Sequence, residues 1–194
     1  MTGPALLEHL MTSGILTIRC RGDVSRLLAE IMVRNAGKRI LYLHWADYHK
    51  RFWSLDYDLI YRIAKEHGVA ESIGEDIHFM RAFSRDNNEV PENWDLIFSC
   101  SYELIIVDSI SELYEERKQS SKPMTYAIGR LSQLCTKNRC SAIVIDRGRR
   151  LHDYLAHVSS VIIELGDELR LLKHPFMAET SFPSDGQYRL ARWF

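Results

Sequence analysis

The sequence contains no long hydrophobic run. None of its apolar stretches approaches the roughly 20 residues that cross a membrane. The N-terminus also lacks a basic region followed by an apolar one, which is the pattern of a secretion signal. Low-complexity tracts and internal repeats are absent as well. We therefore expect a cytoplasmic protein.

The sequence also has few candidate metal ligands. Its four cysteines are Cys20, Cys100, Cys135 and Cys140, and no two of them are spaced as CxxC. Three of the four lie in or beside apolar runs. That placement favours buried, reduced thiols. His44 and His49 lie close together but have no acid or cysteine at ligand spacing. We expect no metal site.

Neither sign of charge is in excess. The 194 residues include 25 Lys and Arg against 26 Asp and Glu, a formal net charge of −1. The global field therefore does not indicate nucleic-acid binding, and any basic surface must be local. The densest basic stretch is residues 147–150. The length fits one domain, and we expect residues 1–194 to form it.

A short apolar run, LIIVD at residues 104–108, is the most informative stretch. It is rich in β-branched residues and ends in Asp108 and Ser109, which predicts a strand buried on both faces. In open α/β sheets, ligands bind outside the carboxyl ends of the strands. Asp108 is therefore either the ligand of a nucleotide-bound metal ion or a cap for the turn or helix that follows.

Strand and helix patterns alternate along the chain, which predicts an α/β fold with a largely parallel sheet covered on both faces. A turn at residues 166–167 adds a C-terminal β-hairpin. The predicted helices are residues 24–36, 55–66, 94–100 and 124–138. The predicted strands are residues 15–19, 39–44, 77–83, 102–108, 141–145, 158–165, 168–174 and 188–194.

The turn after the first strand is where a phosphate-binding loop would lie, but it lacks the required residues. Such a loop needs several glycines, a lysine for the phosphates and a hydroxyl for magnesium. Here the turn has one glycine, Gly22, no lysine, and only Ser25 as a hydroxyl. Arg21 supplies charge but does not replace a cradle of backbone amides. Asp23 is the predicted N-cap of the helix, and Gly37 is predicted to close it.

An ordered set of motifs resembles the RecA/RadA recombinase superfamily, most of all its archaeal RadA branch. LIIVDS at residues 104–109 is similar to the Walker B strand of that family. LIYRIA at 59–64, MRAF at 80–83 and GDELRL at 166–171 are similar to a helix, a strand and the closing hairpin. The resemblance implies a RecA-like three-layer fold, with helices on both faces of a mainly parallel central sheet and a β-hairpin at its edge.

The departures from the family concern its nucleotide chemistry. The Walker A loop is shorter and has no lysine, and Ala46 stands where the family has its catalytic Glu. Asp146 and Arg147 replace an Asn-Gln pair that senses the γ-phosphate, and the second DNA-binding loop is reduced to about residues 148–156. Without these groups, neither the triphosphate charge nor the attacking water is held in place.

The resemblance therefore implies a pseudo-ATPase with no catalytic residues and with neither ATP nor magnesium as cofactor. Gly22, Ser25, Asp108 and Ser109 would be its vestigial nucleotide site. We expect an accessory protein of homologous recombination and DNA repair. Its partners would be a RadA-type recombinase, another RecA-family paralogue or a second copy of this chain. The resemblance favours an archaeal source.

The resemblance also implies single-stranded DNA binding through two loops at the sheet end. The predicted contacts with the phosphate backbone are Arg117, Lys118, Lys122, Arg147, Arg149 and Arg150. A solvated turn is the competing interpretation of the Arg147 cluster. Two other functions remain open: an ATPase with an unusual phosphate loop at Arg21, Gly22 and Ser25, and a RecA-fold scaffold unrelated to DNA.

Overall fold

The computed structural model describes residues 10–11, 13–44, 55, 57–81, 101–108, 122–148, 152–166 and 169–182. In these residues eight strands form one sheet. The strands are β1 (Gly14–Cys20), β2 (Ile40–His44), β3 (Ile77–Arg81), β4 (Leu104–Asp108), β5 (Ser141–Asp146), β6 (Val161–Leu165), β7 (Leu169–Lys173) and β8 (Thr180–Phe182).

The strand order across the sheet is β3-β2-β4-β5-β1-β6-β7-β8. The first six strands in this order are parallel, whereas β7 and β8 are antiparallel to their neighbours. All five residues of β2 and of β4 are buried. Continuous burial of this kind occurs because parallel strands are covered on both faces, and it explains why these runs are apolar without alternation.

Four helices in the described residues cover the two faces of the sheet: α1 (Ser25–Arg34), α2 (Tyr57–Glu66), α3 (Lys122–Asn138) and α4 (His152–Val158). Helices α1 and α2 pack into one core with strand residues such as Ile106 and Ile145. Helices α3 and α4 pack into a second core on the opposite face, with residues such as Val107 and Val144. The result is three layers with two hydrophobic cores.

The structure confirms the predicted fold class, including the mainly parallel sheet and the C-terminal antiparallel hairpin of β6 and β7. The apolar positions of the first helix are buried as the 3.6-residue period predicts: Val24, Leu27, Leu28, Ile31 and Met32. Predicted elements at residues 94–100 and 188–194 lie outside the described residues.

The prediction for the segment before the hairpin was wrong. Residues 152–158, predicted to be part of a shortened loop and the start of a strand, form α4, so β6 begins only at Val161. The reason is packing, because Leu155 is fully buried in the second core. After β7 the chain forms a further strand, β8, which pairs antiparallel with β7 and which the sequence did not indicate.

The predicted ends of α1 also need correction. The N-cap is Val24 and not Asp23. Asp23 acts one residue earlier, where its carboxylate accepts a hydrogen bond from the Ser25 N–H at 2.8 Å. The C-cap is Asn35. Gly37, two residues later, has a φ of 87°, a conformation that glycine adopts without strain.

Candidate functional site

Polar side chains collect at the carboxyl ends of the central parallel strands. His44 ends β2, Asp108 ends β4 and Asp146 ends β5. His44 and Asp108 are direct partners in the β2–β4 register, and Asp146 is paired with Arg19 of β1. Because the strands are parallel and adjacent, their last residues lie at one edge of the sheet, where open α/β folds bind ligands. We take this edge as the candidate site.

The centre of the site is a buried ion pair between Asp108 and Arg147. The Arg147 Nη1 atom donates to Asp108 Oδ1 at 2.7 Å, and the Tyr42 hydroxyl donates to Asp108 Oδ2 at 2.8 Å. The side chains of Arg147 and Asp108 are only 7% and 2% exposed. The His44 ring stacks beside Tyr42, and its Nδ1 lies 3.7 Å from Asp108 Oδ2. Each carboxylate oxygen of Asp108 therefore has a donor supplied by the protein itself.

This network lies on the face of the sheet that α1 covers. Strand residues alternate between faces, and Tyr42 and Ile106 belong to the core that α1 and α2 form. Asp108 and His44 are each two residues beyond one of these positions, so they share that face. The ion pair is thus on the same side as the turn between β1 and α1, as a nucleotide site of this fold requires.

The environment keeps Asp108 charged. Burial acts to raise the pKa of Asp108, but His44, Arg147 and Tyr42 together outweigh burial and lower the pKa below its usual value. We attribute most of this effect to Arg147 and Tyr42, because the 3.7 Å separation from His44 exceeds hydrogen-bond length. Burial and the negative charge of Asp108 raise the pKa of Tyr42, which therefore remains a neutral donor.

The turn between β1 and α1 forms a local hydrogen-bonded motif. Asp23 Oδ1 accepts from the backbone N–H of Ser25 at 2.8 Å and from its hydroxyl at 2.6 Å. Gly22 has no positive φ, and a Cβ there would meet nothing within 4 Å. The amide and hydroxyl that a phosphate loop would offer to a ligand are thus bonded to a carboxylate of the chain.

A second acid lies at the end of β5 on the opposite face of the sheet. The His152 Nε2 atom is 3.0 Å from Asp146 Oδ2, and the Arg19 Nε atom is 3.9 Å from the same oxygen. The Arg19 Nη2 atom also donates to the His152 carbonyl at 3.1 Å. Asp146 occupies the position of the Asn-Gln pair in the resemblance. Here it ties β5 to β1 and to the start of α4.

Among the predicted site residues that the structure describes, Asp108 and Arg147 are brought into contact. Its contacts direct the Arg147 guanidinium inward to Asp108, whereas the sequence interpretation placed it on a DNA-binding surface. Gly22 and Ser25 lie at the β1–α1 turn, and Lys122 begins α3. The remaining predicted site residues lie outside the described part of the chain: Ser109, Arg117, Lys118, Arg149 and Arg150.

Sequence reasoning missed Tyr42, Arg19 and His152 as members of polar networks. For Tyr42 a signal existed, because it is the one tyrosine in the otherwise aliphatic β2 run and stands two residues before His44. The pairing of Asp108 with Arg147 had no local signal, since 39 residues separate them. It depends on β4 and β5 being neighbours. Within the described residues, no group of three acidic, His or Cys side chains is arranged to hold a metal ion.

The comparisons with known proteins identify the fold of this chain. No protein-family model matches the sequence, and no curated protein matches it. Among solved structures, the crystal structure of the RadB recombinase is similar, with a TM-score of 0.64. The match covers 97% of this chain and 98% of the RadB chain at 16% sequence identity. This protein therefore has the RecA-like fold that the motifs indicated.

Proposed function

We propose that this protein is a non-catalytic, cytoplasmic RadA paralogue that assists homologous recombination and DNA repair by binding a RecA-type recombinase. The similarity to a protein named as a recombinase supports the pathway. The observation that best supports the loss of catalysis is the Asp108–Arg147 ion pair. The Arg147 guanidinium lies where a nucleotide-bound magnesium ion would contact the Walker B carboxylate.

Energetics favour the ion pair over a metal ion. Magnesium would have to displace Arg147 from Asp108, and both side chains are almost fully buried. Leaving one partner of a buried pair without its counter-charge costs about 3–5 kcal/mol. Magnesium is usually held by one or two carboxylates together with the substrate phosphates. A single carboxylate already in an ion pair is therefore a poor magnesium ligand.

The β1–α1 turn disfavours the triphosphate for the same electrostatic reason. The N-terminus of a helix attracts anions through its backbone N–H groups. The Ser25 N–H already donates a hydrogen bond to the Asp23 carboxylate. A phosphate group at this turn would meet a negative charge and would find no lysine to offset it. These contacts argue against the alternative of an ATPase with an unusual loop.

Thermal shift with ATP and magnesium tests the proposal. Binding at 100 times the dissociation constant would stabilise the protein by about 2.7 kcal/mol. For a chain of this size, each kcal/mol raises the melting temperature by about 2–4 °C. We expect no rise at millimolar ATP and magnesium, with an intact RecA-type ATPase as positive control. A rise of several degrees that disappears in the Asp108→Asn variant would contradict the pseudo-ATPase.

An outer edge of the sheet offers a surface for the recombinase. Among the described residues, β3 pairs with β2 alone. Phe79 on β3 is 44% exposed and makes an edge-to-face contact with Tyr57 of α2, with ring centroids 6.2 Å apart. Tyr61, one turn along α2, is also exposed. An edge strand beside exposed aromatic rings suits a partner that adds a strand and buries an apolar side chain.

DNA binding remains a prediction from the sequence. Arg147 is engaged with Asp108, so the expected surface depends on Lys122, which begins α3, and on residues beyond the described part: Arg117, Lys118, Arg149 and Arg150. Binding to the DNA backbone would weaken steeply as salt rises. Salt-dependent fluorescence anisotropy with single-stranded DNA measures this, and undiminished binding after Arg149→Ala and Arg150→Ala would exclude these two arginines.

A further inference from the structure

Consecutive apolar residues are exposed in the turn between β7 and β8. We call them the apolar turn: Pro175, Phe176, Met177 and Ala178. Phe176 is 86% exposed and Met177 is 40% exposed. Single exposed apolar residues are normal on a protein surface, but an unbroken run of this length indicates a surface with a function.

Local contacts fix the shape of the apolar turn. The Phe176 N–H donates a hydrogen bond to the His174 Nδ1 atom at 3.1 Å, and the two rings pack edge to face with centroids 6.0 Å apart. At the other end, the Thr180 hydroxyl donates to the Ala178 carbonyl at 2.9 Å. The apolar turn belongs to neither of the two cores of the described residues. Its own polar groups therefore hold it in place while its apolar side chains face solvent.

The apolar turn leads into β8, an outer strand of the sheet. Among the described residues, β8 pairs with β7 alone, and the two strands are antiparallel. An outer strand leaves a row of backbone N–H and C=O groups open to pairing with a further strand. Because the apolar turn directly precedes β8, one added strand would contact both.

The segment that follows β8 has the composition of such a strand. Residues 183–194 lie outside the described part of the chain, and their sequence is PSDGQYRLARWF. The initial PSDG favours a turn, since Pro, Ser, Asp and Gly are the residues that turns prefer. The remainder includes the predicted strand 188–194, which ends in the aromatic pair Trp193 and Phe194.

We propose that residues 188–194 pair antiparallel with β8 and cover the apolar turn of their own chain. The connecting loop is then residues 183–187, and hairpin loops are commonly about two to five residues long. The first residue after the loop lies opposite the last residue of β8. Two residues further along each strand, Leu190 lies opposite Thr180.

The same register continues to the apolar turn. Three residues beyond the Leu190–Thr180 pair, Trp193 comes opposite Met177, and Phe194 then comes opposite Phe176. A strand advances by about 3.3 Å per residue, so this segment is long enough to reach the apolar turn. Cross-strand aromatic pairs of this kind stabilise a hairpin.

Charge also favours this occupant. Glu179 is exposed between the apolar turn and β8. Residues 183–194 carry two arginines, Arg189 and Arg192, against one acid, Asp185. Opposite charges on neighbouring strands attract each other. An added strand with these arginines therefore complements the carboxylate beside the apolar turn.

The added strand would close the β8 edge of the sheet. A closed edge protects a sheet from pairing with other chains. In the described sheet, β3 is then the outer strand left open to a partner, in agreement with the surface proposed for the recombinase. The apolar turn and β8 carry this proposal, which does not depend on the role in recombination.

Hydrogen–deuterium exchange of the full-length protein, read by mass spectrometry of its peptides, tests the proposal. Backbone amides in residues 188–194 should exchange at least about tenfold more slowly than in a free peptide of the same sequence, because strand pairing protects them. This protection should not change when the protein is diluted. Exchange at the rate of the free peptide would overturn the proposal. Protection that is lost on dilution would also overturn it, since the occupant would then be a second copy of the chain.

A pair of matched variants tests the contact with the apolar turn. Phe176→Asp should speed the exchange of residues 188–194 by about twofold or more, because it removes an aromatic cross-strand partner. The control Tyr126→Asp places the same charge at a 61% exposed ring on α3 and should leave that exchange unchanged. Both side chains are exposed, so neither substitution opens a cavity in a core. No change in Phe176→Asp, or equal acceleration in both variants, would show that residues 188–194 do not cover the apolar turn.

Discussion

At the scale of single residues, the Asp108–Arg147 pair is the most constrained contact of the candidate site. Its two charges are removed from water almost completely, with a separation of 2.7 Å. A buried pair of this kind adds little net stability relative to apolar residues, but removing one partner leaves a costly charge. We therefore expect the protein to tolerate replacement of both residues together better than replacement of either one alone.

Arg147→Met should lower the free energy of unfolding by about 3–5 kcal/mol, because it leaves the Asp108 carboxylate buried without its ion-pair partner. Urea denaturation measures the change. The matched control is Arg34→Met, which removes a more exposed pair with Glu30 at 3.9 Å and should cost less than about 1 kcal/mol. The double variant Asp108→Asn with Arg147→Met should be more stable than Arg147→Met alone. Asp108→Asn alone completes the cycle, and a double-variant loss equal to the sum of the two single losses would show that the two residues are not coupled.

Asp108 should also make stability depend on pH. Its pKa is lower in the folded than in the unfolded protein, so its contribution is fully present above the ordinary aspartate pKa of about 3.9. The contribution is lost as the pH falls from there through the lower folded-state pKa. Between pH 5 and pH 2, melting temperatures should fall more steeply for the wild type than for Asp108→Asn. Parallel curves would show that Asp108 is not stabilised by its partners.

At the scale of elements, β1 is positioned by an unusual first residue. Gly14 has a φ of 128°, a conformation that favours glycine, and a Cβ there would collide with the Ser160 hydroxyl. The neighbouring backbone is bonded on both sides, since Gly14 N–H donates to the Cys140 carbonyl and Ser160 N–H donates to the Ile15 carbonyl. The start of β1 is therefore fixed between β5 and the segment before β6.

Gly14→Ala should destabilise the protein by at least about 1–3 kcal/mol, the cost of the backbone conformation before any side-chain clash. Gly22→Ala is the control, because Gly22 has no positive φ and a Cβ would meet no atom within 4 Å. It should change stability by less than about 1 kcal/mol, in either direction. Chemical denaturation of both variants makes the comparison. Equal losses would show that the Gly14 conformation is not required.

Elements with strong periodicity were predictable, and short ones were not. The helices α1, α2 and α3 followed from apolar residues at helical spacing, and β2 and β4 from unbroken apolar runs. Helix α4 has only seven residues, and its polar sequence resembles a loop. It exists because Leu155 enters the second core and the Ser159 N–H donates to the Leu155 carbonyl. Such tertiary contacts override weak local propensity.

At the scale of the whole molecule, the described residues expose large aromatic side chains in three places. One is the β3 edge, with Phe79, Tyr57 and Tyr61. The second is α3, where Tyr126 is 61% exposed, and the third is the turn between β7 and β8, where Phe176 is 86% exposed. Among these exposed rings only that of Phe79 lies on an outer strand of the described sheet, because the tyrosines lie on helices and Phe176 precedes the other outer strand, β8. We therefore expect the proposed recombinase partner to bind at the β3 edge.

Phe79→Asp should weaken binding to a purified RecA-type recombinase by about fivefold or more, because aromatic anchors commonly contribute over 1 kcal/mol at an interface. Phe176→Asp should leave the affinity unchanged and controls for the added charge. Biolayer interferometry gives the affinities, and melting curves confirm that both variants are folded. An equal loss in both variants would remove the β3 edge as the binding surface.

No helix in the described residues is long and apolar enough to span a bilayer. This finding concerns the structure of the described elements alone. The proposed recombinase contact rests on a separate observation, the exposed aromatic side chain at the β3 edge. A pull-down of the full-length protein with immobilised recombinase, compared between wild type and Phe79→Asp, tests whether the β3 edge makes this contact.

The sequence by itself determined the fold class, because the alternation of apolar strands and amphipathic helices leaves few other ways to bury both faces of the sheet. It also determined that the β1–α1 turn has no lysine and a single glycine, since composition is read directly. Only the tertiary structure decided that Arg147 neutralises Asp108 and that Asp23 binds the Ser25 amide. Strand order and local backbone geometry bring those groups within hydrogen-bond distance, and neither is encoded in the spacing of residues along the chain.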